Sequence, residues 1–96
     1  MKMFWIIYAG SRVAKVTEVL LSCGATGYTE FPHAHGAGTH GRIEGTRVWP
    51  GEETVVTSVV PLACADKLDA GLVALQQQLE AGERLHFAVL PVESFR

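Results

Sequence analysis

A strand-like run, a helical pattern and a second strand-like run follow one another twice along this chain, and that order constrains its fold most. Residues 3–9, MFWIIYA, are continuously apolar and rich in aromatic and β-branched types, which predicts a buried strand. Gly10 and Ser11 break the run, and Ser11 reads as the N-cap of a helix. Val13, Val16, Leu20 and Cys23 then recur at helical spacing, with Gly24 where a helix ends in a left-handed residue and Gly27 closing the turn. Residues 28–33, YTEFPH, alternate loosely as a second strand. Pro32 places that segment at a sheet edge or near a strand end. Residues 54–61, TVVTSVVP, predict a third strand. Asp66 reads as the next N-cap with Asp69 three residues later, in a variant of the capping box. Leu68, Leu72, Leu75 and Leu79 give that helix one apolar stripe, Gly82 ends it, and residues 84–92, RLHFAVLPV, form the last strand.

The order β-α-β-β-α-β, with two right-handed crossovers, predicts a ferredoxin-like α+β domain over residues 1–96. Four antiparallel strands would carry both helices on one face. Strands such as FWIIY and TVVTSVV are apolar on both sides, so the uncovered face is expected to pack against other subunits.

An apolar fraction of 48% supplies one core. A net charge of -2 with no Lys/Arg cluster weighs against nucleic acid as a partner. The start, MKMFWIIYAG, is too short to span a bilayer and is followed by no clean cleavage site, so it reads as the first strand. Cys23 and Cys64 do not make a disulfide framework and read as small packing residues, and a cytoplasmic protein with reduced thiols is expected. Trp5 reads as core and His86 as an ordinary strand histidine.

Residues 33–51, HAHGAGTHGRIEGTRVWPG, separate two patterns that read as adjacent strands, and hold three of the four histidines and five of the ten glycines. A small domain rarely keeps so long a connection without using it. In an extended segment His33 and His35 point to one side, and His40 follows beyond Gly36 and Gly38. Neutral imidazoles suit Zn, Cu, Ni or Co, with water or Glu44 as a fourth ligand. The same histidines equally read as solvated loop residues. GAGTHG, with Gly36, Gly38 and Thr39, can cradle a phosphate through backbone N–H groups, with Arg42 or Arg47 as counter-charge. It can equally be a hinge. Trp49 reads as an anchor for the returning limb, with a partner hot spot as the other reading. No nucleophile, base and orienter fall into a recognisable set, and no carboxylate pair marks a cleft, so an enzyme is not expected. An enzyme using His40 as general base would need a second catalytic group that the sequence does not offer.

Several motifs carry a resemblance. RVAKVTEVLLSCGATGYTE has a helix, a closing glycine, and Gly24, Gly27, Tyr28 and Thr29 in a G-x-x-G-hydrophobic-T pattern. HGAGTHG stands at the base of a long loop, and TVVTSVVPLACADKLDAGLVALQQ joins a strand to a helix through "VVP". In these respects the chain resembles the P-II signalling family and its diverged P-II-like relatives. The resemblance implies a homotrimer that binds a small effector, commonly an adenine nucleotide, in clefts between subunits. It also implies that a long T-loop, here residues 33–53, docks on a transporter, enzyme or regulator. The chain departs from the family in two places. A longer turn of the type TGxxGDGK is reduced to AGERLHF, leaving Gly82 and Arg84 as remnants, and the histidine-rich loop lacks the usual modification-site tyrosine. Two readings follow: a P-II-like sensor signalling through its loop, with a membrane transporter as the partner suggested by analogy, or a transition-metal-binding protein for metal sensing or tolerance.

Overall fold

The computed structural model describes residues 1–38, 41–42 and 52–96. Strand β1 spans Lys2–Ala9, helix α1 Val13–Ser22, and strand β2 Thr29–His35. Two short strands follow, β3 at Ala37–Gly38 and β4 at Gly41–Arg42. Strand β5 then spans Glu52–Val60, helix α2 Leu62–Gln76, and strand β6 Arg84–Pro91. The main sheet has the order β2-β5-β1-β6, and every neighbouring pair is antiparallel. This is the β-α-β-β-α-β arrangement, with β1 and β5 central and β2 at an edge, where Pro32 leaves no central ladder position without a donor.

Alternation sorts the side chains of β1. Phe4, Ile6 and Tyr8 are buried toward the helices, together with Val56, Ser58 and Val60 of β5 and Leu85 of β6. Val16 and Leu20 of α1 and Ala65, Leu68, Leu72 and Leu75 of α2 close over them, so the core is one layer between helices and sheet. Leu79 packs against it from beyond the end of α2, and the rings of Phe4 and Phe87 stack with centroids 6.1 Å apart. The opposite face carries Met3, Trp5 and Ile7. Trp5, expected in the core, is 41% exposed there, because its odd position in β1 turns it away from the helices. His86 is exposed in the register position opposite Ile7.

Both expected N-caps move. Helix α1 is preceded by Arg12 rather than Ser11, and the Arg12 N–H donates to the Tyr8 hydroxyl at 2.8 Å. This bond ties the residue before α1 to β1, and α1 carries no side-chain cap. Helix α2 starts at Leu62, directly after Pro61, so Asp66 lies inside it. Proline fits there because its φ of -63° suits a helix start and it has no N–H to leave unpaired. Helix α2 ends at Gln76, before Gly82, which instead takes a φ of 88° in the turn leading to β6.

The C-terminus of α1 is as expected. Gly24 has a φ of 92°, and the N–H groups of Ala25 and Gly24 donate to the carbonyls of Leu20 and Leu21. This double bond is a Schellman cap, with buried Ala25 and Leu20 as its apolar contact.

Candidate effector site

The turn after that cap borders a cavity. Ser58 of β5 donates through its hydroxyl to the Gly27 carbonyl at 2.6 Å, which pins the 26–29 segment to the sheet. Beside this bond lies a cavity of about 390 Å³. Its walls are Thr26–Thr29 on one side, Thr57–Val59 on another, Met3 across the sheet, and Phe95 from the segment after β6. Register explains the grouping: Thr29 stands opposite Thr57, and Met3 opposite Val59. Threonine hydroxyls and an exposed tyrosine thus share the cavity with apolar Met3 and Val59. Such a mixture of apolar walls and a few polar groups suits a small organic ligand.

The described residues singled out at the base of the glycine-rich loop do not line this cavity. His35 is opposite Glu52, five positions along β5 from Thr57, so the loop base is about 17 Å from the middle of the cavity at ~3.4 Å per residue. Gly36 follows β2, and a Cβ there would meet only the end of the Glu53 side chain, which can swing aside. Gly38 lies in β3 and Arg42 in β4, which pair as a two-stranded ribbon in register Ala37 to Arg42 and Gly38 to Gly41. The glycine-rich run therefore holds a small hairpin that its composition did not announce. Thr39, His40, Glu44, Arg47 and Trp49 lie outside the described residues. Arg84 is exposed at the start of β6, opposite Ala9 on the edge far from β2.

The two described loop histidines do not share the expected side-by-side geometry. The pairing of β2 with β5 shifts between Phe31 and Ala34, and His33 takes a φ of 62° in this bulge. The extended backbone that would have aligned His33 with His35 is interrupted between them. Among the described residues no three His, Cys, Asp or Glu side chains come together as a metal set.

A second polar cluster escaped the sequence reading. The Glu83 side chain, 3% exposed, accepts from the Arg12 Nη2 at 2.5 Å and Nε at 3.1 Å, from the Glu80 N–H at 2.7 Å, and from the Tyr8 hydroxyl. Hydrogen bonds from Arg12 outweigh burial and hold the Glu83 carboxyl down at about 2. Burial, then the bond to the Glu83 carboxylate, push the Tyr8 phenol up to about 12. The Arg12 guanidinium is raised by the same bond to Glu83. Tyr8 at the end of the apolar MFWIIYA run was the available signal, since a buried phenol needs a partner.

The sequence matches the family Nitrogen regulatory protein P-II over residues 1–94. The chain belongs to the P-II family. Among solved structures it is similar to CPII, a nitrogen regulatory PII-like protein from Thiomonas intermedia K12 bound to ADP, AMP and bicarbonate. That likeness has a TM-score of 0.67 at 23% identity, covering 93% of this chain and 86% of that one. A PII-like signalling protein from Thermus thermophilus gives a TM-score of 0.57 at 25% identity, covering 92% and 83% of the two chains. No curated protein matches the sequence. As a P-II family member the chain is a PII-like regulatory protein, and its four-stranded antiparallel sheet with two helices is the ferredoxin-like arrangement expected from the element order. No helix among the described residues is long and apolar enough to cross a membrane.

Proposed function

We propose that this protein is a cytoplasmic, homotrimeric sensor that binds an adenine nucleotide in the cavity between residues 26–29 and β5. Occupancy changes how residues 36–53 are presented to a partner protein, a membrane transporter by analogy. The cavity is the observation that carries this reading. At about 390 Å³ it suits a nucleoside, Met3 and Val59 offer apolar surface to a base, and Thr26, Thr29 and Thr57 offer hydroxyls to a sugar or a ring nitrogen. It opens at the uncovered sheet face, where Trp5 and Phe31 are exposed, so a neighbouring subunit seated on that face would border it. CPII, which shares the fold, binds ADP and AMP.

In this reading the backbone N–H groups around Gly36, Gly38 and Thr39 and the cations Arg42, Arg47 and Arg84 meet the phosphates from a neighbouring subunit, because this chain's own loop base lies about 17 Å from the middle of the cavity. Arg84 sits three strands away from β2 in its own chain, so a neighbouring subunit supplies it.

Calorimetric titration of ADP and AMP into the protein and a Thr29→Val variant tests the reading. Removing one hydroxyl partner should weaken binding on the order of 10-fold with an unchanged circular dichroism spectrum. Failure of both nucleotides to bind the wild type at millimolar concentration overturns it. Thermal shifts with Zn, Cu, Ni and Co salts on metal-stripped protein give the alternative outcome. A metal-dependent shift that disappears in His33→Ala/His35→Ala would make a metal the sensed ligand.

A further inference from the structure

One wall of the cavity does not belong to the strand and turn framework. Strand β6 ends at Pro91, opposite Lys2, and the Val92 N–H donates to the Met1 carbonyl at 3.2 Å. Strand β5 lies on the other side of β1. To reach Met3, Thr57 and Val59, the segment after Val92 must therefore cross β1 on the uncovered face. Two strand spacings are about 10 Å, and the four residues from Pro91 to Phe95 span up to about 13 Å, so the crossing is nearly extended. Beyond Val92 no hydrogen bond or ion pair holds residues 93–96 among the described residues. Phe95 is 66% exposed, yet its ring borders the cavity. Tyr28, 41% exposed, borders it as well.

We infer that Phe95 is a lid on the effector cavity: the segment after Val92 pivots at its bond to Met1 and lays the Phe95 ring on a planar heteroaromatic group held inside. On the single chain the Phe95 ring is exposed, in the proposed trimer it lies where a neighbouring subunit borders the cavity, and a nucleobase face supplies apolar contact for it. The inference rests on the proposed nucleotide reading and adds a discriminating element to it. A stacking lid favours ligands with a flat ring and contributes nothing to a sugar phosphate alone. It also slows release more than it speeds capture.

The test is a titration of ADP, adenosine and ribose 5-phosphate into the wild type, Phe95→Ala and Phe95→Leu, with dissociation rates from stopped flow. Removal of so exposed a ring leaves the core intact, which the thermal midpoint verifies. The expected result is a loss on the order of 10-fold for ADP and adenosine in both variants, carried by faster dissociation. Ribose 5-phosphate should be unaffected. Equal ADP affinity in wild type and Phe95→Ala, or restoration by leucine, overturns the lid while leaving the nucleotide reading standing. Absence of any adenine ligand on the wild type sinks that reading and the lid with it.

Discussion

The hydroxyl of Tyr8 and the carboxylate of Glu83, 75 positions apart in sequence, form a hydrogen bond at the place where β1, α1 and the turn before β6 meet. The same hydroxyl accepts the Arg12 N–H, and the same carboxylate accepts the Arg12 guanidinium. Three groups thus satisfy one another at the start of α1, next to the turn that is shortened relative to the family pattern.

Glu83→Ala should cost about 2–3 kcal/mol of unfolding free energy. It strands the Tyr8 hydroxyl and the Glu80 N–H, while Arg12 keeps partial access to water. Urea unfolding measures the loss. Glu83→Gln, which retains an acceptor but not the charge, should cost less.

Acid should expose the same carboxylate. Its folded value of about 2 lies below the ordinary glutamate range, so the unfolded chain binds more protons between those limits. The contribution of Glu83 is complete above about pH 4.5 and is lost as the pH falls toward 2. Tyr8 has the opposite sign, because its folded value of about 12 lies above the ordinary 10. Its contribution is present below pH 10 and lost as the pH climbs to 12. Stability measured against pH should flatten at the acid limb in Glu83→Gln and at the alkaline limb in Tyr8→Phe. An unchanged acid limb in Glu83→Gln would mean the carboxylate titrates as an exposed one.

Trp5→Glu should dissociate the proposed trimer. The ring lies on the uncovered sheet face with Met3 and Ile7 beside it, so a charge there spoils subunit packing without entering the core. Light scattering coupled to gel filtration should give a trimer mass for the wild type and a monomer mass for the variant. A monomeric wild type would remove the trimer from the proposed function.

Gly24→Ala should destabilise by about 1–2 kcal/mol, because φ at this position is 92° and an added Cβ would also press on the Cys64 Sγ at 3.2 Å. Thermal or chemical unfolding reads the effect directly.

The strand and helix order was legible because each element keeps its own period. Phe4, Ile6 and Tyr8 alternate, while Leu68, Leu72 and Leu75 recur by fours and threes. The cap at Gly24 was legible because a left-handed residue there has few alternatives. The starts of both helices were misplaced for tertiary reasons. Helix α1 is entered through Arg12, whose N–H is held by the Tyr8 hydroxyl of β1, and α2 begins as soon as the ladder of β5 ends at Val60. Trp5 was misread because aromatic bulk says nothing about which face of a strand will be covered. At the site, Gly27, Tyr28 and Thr29 stood out in the sequence, but their neighbours Met3, Thr57 and Phe95 come from three distant segments that only the sheet register brings together. Glu83 was inconspicuous for the same reason. The bulge at His33 left no periodic trace, since one extra residue in a seven-residue strand is invisible to pattern reading.

The bulge has a mechanical consequence. The two limbs of the long loop emerge from β2 and β5, and both strands also border the cavity, at Thr29 and at Thr57–Val59. Strand β5 runs between β1 and β2, paired with β1 over Thr54–Val60 and with β2 over Glu52–Thr57. Strand β2 hangs on one neighbour and carries a soft joint between Phe31 and Ala34. A strain entering at the cavity end therefore arrives at the loop unequally, transmitted by one limb and absorbed by the other. At the described base of the loop, between His35 and Glu52, that is a shear of one strand end past the other rather than a joint displacement of both.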